Sequence, residues 1–308
     1  MRVVFDYAAG PGLAARLAAL PGLDIIVAPQ SEYGEVMRNA DVLWHVLRPC
    51  TAETIAGAPR LQLIQKIGVG VNTIDLAAAR ARGIPVCNLP GTNSRAVAEM
   101  TLLLMLAALR RLPQFDAALR AGQWLAPPAI QDQLGEIGGK TVGLVGYGAV
   151  ARILAPVLGA LGCEVLYTSL TSKPDVAATH VPLPVLLATS DIVSLHLPLT
   201  PQTTHMIDDA ALACMKPGAI LVNTARGGLI DPVALAAALR HGPLAAAALD
   251  VFTEEPSNPA DPLFQLPNVV VAPHVAWLTT GTFDRSFSIA AENCRRLAAG
   301  EELLHRVQ

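Results

Sequence analysis

The sequence predicts an α/β protein with two doubly wound parallel-sheet domains. Short runs of β-branched residues alternate with Ala- and Leu-rich stretches along nearly the whole chain, and this alternation is typical of parallel strands covered by helices. The chain has 308 residues, of which 52% are hydrophobic, which is enough to bury the cores of two domains. The strands also fall into two series, one on each side of a long helical run.

The first series of strands predicts one small doubly wound sheet. Helical stretches such as residues 12–19 lie between its strands, and a turn-rich segment at residues 88–93 follows the last of them. The predicted strands are residues 2–5, 24–27, 42–44, 63–66 and 85–87.

The second series follows an uninterrupted helix, free of Gly and Pro, that is predicted at residues 96–109 and connects the two domains. Six parallel strands match a complete dinucleotide-binding sheet of the Rossmann type. They are residues 141–145, 164–167, 192–195, 219–223, 246–249 and 269–272.

The last segment, residues 289–299, reads as an amphipathic helix with no strand after it, so we expect it to pack on the first domain. This would make the first domain discontinuous. We therefore predict a flavodoxin-like substrate domain at residues 1–95 with 277–308, and a Rossmann dinucleotide-binding domain at residues 96–276.

Charge and cysteine content exclude several classes of partner and site. The 22 Lys and Arg residues nearly balance the 25 Asp and Glu residues, so the chain carries no electrostatic footprint for nucleic acid or an anionic membrane. We expect a small-molecule partner instead. The five cysteines are scattered without CxxC spacing, which predicts neither disulfides nor a metal site. With no apolar leader segment near Met1, a cytoplasmic location is expected.

A glycine-rich loop follows the first strand of the second series. Gly146 and Gly148 allow a tight turn and the close approach of a pyrophosphate, which would then lie at the N-terminus of the helical run over residues 152–161. Ala151 occupies the third small position of this GxGxxA pattern. An ordinary glycine turn has the same composition, but the placement between a strand and a helix favours a dinucleotide site that includes Ala149 and Val150.

The end of the next strand reports on the type of cofactor. An acidic side chain there would accept hydrogen bonds from the ribose hydroxyls of NAD and would repel a 2′-phosphate. Residues 167–173 contain no acid and instead offer hydroxyls, such as that of Ser169, and the cation of Lys173. The sequence therefore favours NADP(H) over NAD(H), unless Lys173 is only a solvated loop residue.

Three polar side chains follow the ends of later strands, where open α/β sheets place their ligand crevice. Arg226 lies in Asn-Thr-Ala-Arg-Gly-Gly, Glu255 in Glu-Glu-Pro and His274 in Pro-His-Val-Ala-Trp. Each has an ordinary alternative: a surface cation, a solvated acid and a structural imidazole. Together they supply what hydride transfer to a 2-oxo acid requires. Arg226 would clamp the carboxylate, His274 would exchange a proton with the reacting oxygen, and the Glu255 carboxylate would orient the imidazole and raise its pKa.

These motifs resemble those of the D-isomer-specific 2-hydroxyacid dehydrogenase family, over nearly the full length and most strongly from Gly138 to Trp277. The resemblance implies that Arg226, Glu255 and His274 are catalytic and that the protein is a homodimer. It also implies sets of ligand contacts. The implied cofactor contacts are Thr101, Gly146, Gly148, Ala149, Val150, Ser169, Lys173, His196, Pro198, Thr203, Thr224, Ala225 and Asp250. The implied substrate contacts are Trp44, Val69, Gly70, Arg226, His274 and Trp277, with the carboxylate held by the N–H groups of Val69 and Gly70.

Two departures from the family pattern bear on specificity. Thr168 and Ser169 replace the usual acid, as in NADP-using glyoxylate and hydroxypyruvate reductases, although the Arg that follows in those relatives is Leu170 here. Trp277 also resembles those reductases, so glyoxylate or hydroxypyruvate is the expected substrate. Alternatives are a non-enzymatic NAD(H)-binding regulator and a dehydrogenase of another small anion, phosphite or formate. Formate dehydrogenases carry glutamine where this chain has Glu255, which argues against formate.

Overall fold

A computed structural model describes residues 1–28, 30–124 and 128–308. The chain divides into two compact units. Unit 1 comprises Met1–Asn93 and Leu278–Gln308, and unit 2 comprises Ser94–Trp277. Each contains one parallel sheet with helices between its strands, which confirms the predicted fold class.

The strands lie close to the predicted positions. They are β1 (Arg2–Phe5), β2 (Asp24–Val27), β3 (Val42–His45), β4 (Leu63–Lys66), β5 (Val86–Cys87), β6 (Thr141–Val145), β7 (Glu164–Thr168), β8 (Thr179–His180), β9 (Ile192–Leu195), β10 (Ala219–Asn223), β11 (Leu244–Leu249) and β12 (Val269–Val271).

The helices occupy the segments between the strands. They are α1 (Pro11–Ala18), α2 (Tyr33–Met37), α3 (Ala52–Ala56), α4 (Leu76–Ala81), α5 (Ser94–Arg110), α6 (Leu112–Arg120), α7 (Pro128–Gln131), α8 (Ala149–Ala160), α9 (Leu183–Thr189), α10 (Asp209–Ala213), α11 (Pro232–His241) and α12 (Thr280–Ala299).

In unit 1 the strands are arranged in the order β2-β1-β3-β4-β5. Val3, Val4 and Phe5 on the inner strand β1 are all fully buried, because both faces of the sheet are covered. The register pairs Val4 with Leu43 on the neighbouring strand. These continuous apolar runs are what made the strands recognisable in the sequence.

Helix α12 belongs to unit 1 and is longer than the predicted helix at residues 289–299. It begins at Thr280, one residue after Thr279, whose hydroxyl accepts a hydrogen bond from the N–H of Thr282. The ring of Phe287 stacks on that of Trp44, with centroids 5.5 Å apart. The polar first turn has no apolar periodicity, so the sequence underestimated the helix, whereas the cap and the aromatic anchor stabilise it.

The sheet of unit 2 has the order β12-β11-β10-β9-β6-β7-β8. The six predicted strands are present, and a seventh, β8, pairs with β7 and forms the edge of the sheet. Its two residues, Thr179 and His180, are both exposed, so they give no hydrophobic signal that a sequence pattern could detect. The chain order reverses at β6, and the loops after β6 and β9 therefore diverge there, as in dinucleotide-binding sheets.

Helix α5 packs on α8, β10 and β11 within unit 2. Its buried face includes Thr101, Leu104 and Met105, whereas Leu103 and Leu106 are exposed. Among the described residues, no helix combines the length and the apolar character that crossing a bilayer requires.

Candidate active site

The predicted glycine loop forms a tight turn between β6 and α8. Gly146 adopts a φ of +95°, a conformation that favours glycine, and its N–H donates to the carbonyl oxygen of Thr168 at 2.9 Å. A Cβ at this position would lie 2.5 Å from the carbonyl oxygen of His196, so a larger residue does not fit. The turn therefore requires glycine at position 146.

Helix α8 begins immediately after Gly148, which caps it without any side-chain hydrogen bond. The first N–H groups of a helix have no partner inside the helix and attract anions. Gly148 and Ala149 are exposed and Val150 is half-buried, so the start of the helix is accessible. This cradle fits the pyrophosphate of a dinucleotide.

The loop after β7 carries the predicted specificity residues. Ser169 donates a hydrogen bond to the carbonyl oxygen of Thr171 at 2.7 Å, and the ammonium of Lys173 donates to the Thr171 hydroxyl at 2.8 Å. The hydroxyl of Tyr167 accepts from the Lys173 N–H at 2.7 Å. A hydroxyl and a cation therefore share one tightly turned loop at the end of the strand, with no acidic side chain from Thr168 to Lys173.

His196 and its neighbours follow β9, beside the glycine loop. The N–H of His196 donates to the carbonyl oxygen of Val145 at 2.7 Å. Burial lowers the pKa of its imidazole to about 4, so the ring is neutral. Its Nε2 is buried and has no hydrogen-bond partner among the residues that the structure describes. Thr203 donates to the carbonyl oxygen of Pro198 at 2.8 Å, which fixes the segment between them.

Thr101 and Thr224 meet inside unit 2. Thr101 is fully buried and donates its hydroxyl to the carbonyl oxygen of Val97 at 2.7 Å. Because that proton is used, the Thr224 hydroxyl, 2.8 Å away, is the donor in the second hydrogen bond. The segment from Thr224 to Ala225 is thereby attached to helix α5, and the cofactor contacts of these residues stay predictions.

The segment that carries Arg226 is fixed by Asn223, the last residue of β10. The Asn223 amide oxygen accepts from the N–H of Ala225 at 3.0 Å, and its amide nitrogen donates to the carbonyl oxygen of Arg226 at 2.9 Å. The Arg226 guanidinium donates to the carbonyl oxygen of Ala225 at 2.6 Å. Burial lowers the pKa of Arg226 and the Glu255 carboxylate opposes that shift. Asn223 was not among the predicted site residues, although a polar amide at the end of a buried strand could have indicated its role.

Glu255 and His274 are joined by a short hydrogen bond. His274 Nδ1 lies 2.6 Å from Glu255 Oε2, and the other oxygen, Oε1, accepts from the N–H of Phe252 at 2.9 Å. Burial raises the pKa of Glu255, but the contacts with His274 and Phe252 and the charge of Arg226 together bring it below its ordinary value. An ionised carboxylate only accepts, so Nδ1 carries a proton and Nε2 is left for other chemistry.

Asp250 holds the backbone on which His274 lies. Its carbonyl oxygen accepts from the His274 N–H at 2.7 Å, and its carboxylate oxygens accept from Val275 and Ala276 at 2.9 Å each. His274 has a φ of +53°, which few residues other than glycine adopt. The predicted contact of Asp250 with a cofactor stays a prediction, but its role in shaping the His274 turn was missed by the sequence analysis.

Trp277 closes the same turn. Its indole Nε1 donates to the carbonyl oxygen of His274 at 2.9 Å, and the side chain is buried. The predicted role of Trp277 in limiting a substrate pocket is not tested by this contact. What the contact does is add a second anchor to the backbone of His274.

The substrate contacts predicted at Trp44, Val69 and Gly70 lie in unit 1. Trp44 is fully buried and stacks on Phe287, and its contact with a substrate stays a prediction. Val69 is 43% exposed, and the Asn88 amide donates to its carbonyl oxygen at 2.9 Å, which orients the loop that contains Gly70.

Comparisons with known proteins identify the family. A model described as "D-isomer specific 2-hydroxyacid dehydrogenase, NAD binding domain" matches residues 102–276. A D-3-phosphoglycerate dehydrogenase from Mycobacterium leprae (strain TN) is 40% identical over 296 residues, which are 95% of this chain and 52% of that protein. The chain thus spans about half the length of this relative.

Two further proteins match over most of their length. A glyoxylate reductase from Aeropyrum pernix is 42% identical over 275 residues, which are 86% of this chain and 82% of that protein. The crystal structure of TT0316 protein from Thermus thermophilus has a TM-score of 0.88 and 38% identity, and 100% of both chains is covered. These matches confirm the resemblance that the motifs indicated: the chain belongs to the D-isomer specific 2-hydroxyacid dehydrogenase family.

Proposed function

We propose that this protein is an NAD(P)-dependent oxidoreductase that interconverts a small 2-oxo acid and the corresponding D-2-hydroxy acid. The observation that carries the proposal is the pair formed by His274 and Glu255, with the charge of Arg226 close enough to lower the pKa of that glutamate. An imidazole whose Nδ1 is occupied by a carboxylate presents Nε2 as a proton donor or acceptor. A guanidinium beside it binds a carboxylate and polarises a neighbouring carbonyl.

The chemistry assigned to the residues follows from these positions. A bound reduced nicotinamide supplies the hydride to the carbonyl carbon. Arg226 binds the carboxylate of the 2-oxo acid and draws electron density toward the carbonyl oxygen. The protonated His274 delivers the Nε2 proton to that oxygen, which leaves a hydroxyl group and a neutral imidazole. In the opposite direction neutral His274 accepts the hydroxyl proton, and the ionised Glu255 stabilises the imidazolium that forms.

The cofactor is proposed to be NADP(H) in preference to NAD(H). Support comes from the loop after β7, where Ser169 follows the strand end at which NAD enzymes carry an acid, and Lys173 places a cation four residues further along the same loop. A hydroxyl and an ammonium can donate hydrogen bonds to the 2′-phosphate of NADP(H). The ribose hydroxyls of NAD(H) require neither group. Gly146 and Gly148 are proposed to accommodate the pyrophosphate.

Glyoxylate or hydroxypyruvate is the proposed substrate class. Glu255 stands where formate dehydrogenases are expected to carry glutamine, and one relative is named glyoxylate reductase. On unit 1, the N–H groups of Val69 and Gly70 are proposed to bind the substrate carboxylate.

A homodimer is proposed because helices α5 and α6 and the segment just after α6 expose several large apolar side chains. Apolar patches of this kind mark protein–protein interfaces. The exposed residues are Leu103, Leu106, Leu112, Leu119 and Trp124. The five cysteines are free, which agrees with the proposed cytoplasmic location.

The proposal is tested by mixing the purified protein with NADPH or NADH and a panel of 2-oxo acids that includes glyoxylate, hydroxypyruvate and pyruvate. Consumption of the reduced nicotinamide is followed by its absorbance, and the hydroxy acid is resolved on a chiral column. We expect turnover of at least one 2-oxo acid, faster with NADPH. Hydroxypyruvate and pyruvate should give the D-isomer of their products, whereas the glycolate formed from glyoxylate is achiral. A protein that binds reduced cofactor but turns over no member of the panel would refute the enzymatic function.

A further inference from the structure

Gly227 follows Arg226 and lies against the backbone of another loop. A Cβ built on Gly227 would overlap the carbonyl carbon and oxygen of Phe252 and the nitrogen of Thr253. These are main-chain atoms, so no side-chain rotation could relieve the overlap. Gly227 has no positive φ, and the reason for glycine is therefore the close approach of the two loops rather than its own conformation.

The peptide that Gly227 contacts is next to the group that holds Glu255. The N–H of Phe252 donates to Glu255 Oε1 at 2.9 Å, while Oε2 pairs with His274 Nδ1 at 2.6 Å. A displacement of the peptide between Phe252 and Thr253 would therefore move the donor that orients the carboxylate. The backbone that Gly227 contacts is therefore linked to the His274 imidazole through the Glu255 carboxylate alone.

The other side of the contact is rigid. Asn223 fixes the backbone of Ala225 and Arg226 through both atoms of its amide. The N–H of Asp250 also donates to the carbonyl oxygen of Asn223 at 3.0 Å, at the end of the β10–β11 pair. Because these strand ends are joined, the overlap caused by a methyl group at Gly227 would be relieved mainly by movement of the loop after β11. This loop is partly exposed from Phe252 to Ser257.

We propose that Gly227 is a positioning residue for the reaction, and that the missing side chain leaves room for the Phe252–Thr253 peptide, so that the adjoining N–H of Phe252 holds Glu255 in register with His274. This inference rests on the proposed function. It assigns to Gly227 no contact with substrate or cofactor. Its effect is expected on kcat, since the pairing of Glu255 with His274 acts on proton transfer and not on cofactor binding.

The test compares Gly227→Ala with Gly242→Ala in the full chain. Gly242 follows α11, and a Cβ added to it would lie 2.7 Å from Ala238 Cα. The Gly242→Ala substitution therefore also causes an overlap with backbone atoms of the same unit. It does so at least 13 residues along the chain from each of the three catalytic candidates. We expect Gly227→Ala to lower kcat for 2-oxo acid reduction by about 10²-fold, as a displacement of about 1 Å can do. The Kd for reduced cofactor should stay within about threefold of the wild-type value, and Gly242→Ala should keep its kcat within the same range.

A double-mutant cycle with Glu255→Ala separates positioning from a general structural defect. If Gly227 acts through Glu255, its substitution should cost at most about threefold in the Glu255→Ala background, because the group it positions is gone. A full additive loss in that background, or wild-type kcat in Gly227→Ala, would overturn the proposal. A wild-type chain that reduces no 2-oxo acid would instead refute the proposed function.

If Gly227→Ala does not fold, Thr253→Gly tests the same peptide from the other side. The Thr253 side chain is exposed, so its removal costs little packing, but glycine loosens the backbone next to Gly227. We expect kcat to fall about tenfold in Thr253→Gly and to be preserved in Thr253→Ala, with the loss again absent in the Glu255→Ala background. Equal kcat values for the two Thr253 variants would overturn the proposal.

Discussion

His274 Nδ1 lies 2.6 Å from Glu255 Oε2, although 19 residues separate them in the chain. The pair depends on two loops that leave neighbouring strands, β11 and β12. Asp250 fixes the His274 turn from one side, and the N–H of Phe252 fixes the Glu255 carboxylate from the other. The orientation of the His274 imidazole thus depends on the Glu255 carboxylate and on the backbone of the two loops. Both loops are held at the end of the sheet.

Replacement of His274 by Ala should abolish most of the reduction of 2-oxo acids while leaving cofactor bound. General acid catalysis by an imidazole contributes about 10²–10⁴-fold, so we expect kcat to fall by at least the lower of these factors. Steady-state rates and titration of NADPH fluorescence measure the two properties separately. His241→Ala, at the exposed end of α11, is the control. Loss of cofactor binding in His274→Ala would show that the residue is structural.

Arg226→Lys should keep the positive charge and lose the planar fork that grips a carboxylate. We expect kcat/KM to fall by about 10²-fold, mainly through a higher KM for the 2-oxo acid, because an ammonium does not replace two parallel hydrogen bonds. Arg240→Lys on α11 is the matched control. An unchanged KM for the 2-oxo acid in Arg226→Lys would contradict the proposed carboxylate contact.

Ser169→Asp should shift the cofactor preference toward NADH. A carboxylate at the end of β7 would repel the 2′-phosphate of NADPH and accept hydrogen bonds from the ribose of NADH. The measurement is the ratio of kcat/KM for NADPH to that for NADH, which we expect to fall by about tenfold or more. Ser172→Asp introduces the same charge three residues along the loop and should change the ratio less. Equal effects of the two substitutions would count against the assignment of Ser169.

Leu103→Glu should weaken the proposed homodimer. Leu103 on α5 is 53% exposed in the single chain, and a carboxylate buried at an interface costs several kcal/mol. Sedimentation velocity at several protein concentrations should show a dimer for the wild type and a shift toward monomer for the variant. Val233→Glu, at a residue 78% exposed on α11, should leave the dimer intact. A wild-type monomer at all concentrations would exclude the dimer.

Asp6 makes the stability of unit 1 depend on pH. Burial raises the pKa of this carboxyl to about 7, against the opposing effects of the Val46 N–H, Lys66 and Arg48. A raised pKa means that the stabilising, protonated form is complete below the ordinary value of 3.8 and is lost as pH rises through about 7. Asp6→Asn should therefore unfold at higher urea concentration than wild type at about pH 8, and the difference should vanish near pH 4.

The control for that measurement is Asp24→Asn, at an exposed ion pair with Arg2 on the same sheet. Surface pairs contribute about 0–1 kcal/mol, so this variant should follow the wild type at both pH values. A stability difference for Asp6→Asn that does not change with pH would contradict the assigned ionisation.

Local patterns in the sequence predicted the strands and the glycine loop well. Apolar runs such as residues 3–5 predict strands that are buried on both faces of a sheet. The pattern formed by Gly146 and Gly148 predicts a turn at the start of a helix. The short exposed strand β8 gave no such signal, and residues 280–288 of α12 are mostly polar, with Phe283 and Phe287 as their only large apolar side chains.

By itself, the sequence determined the two-sheet α/β class, the position of the dinucleotide loop and the identity of Arg226, Glu255 and His274 as candidates, because periodicity and short motifs are properties of neighbouring residues. Only the tertiary structure decided that the N–H of Phe252 holds the Glu255 carboxylate, that Asn223 anchors the Arg226 segment and that Gly227 must lack a side chain. Each of these depends on how closely two strand ends and their loops approach, and that distance is set by the packing of the whole sheet rather than by any segment of the chain.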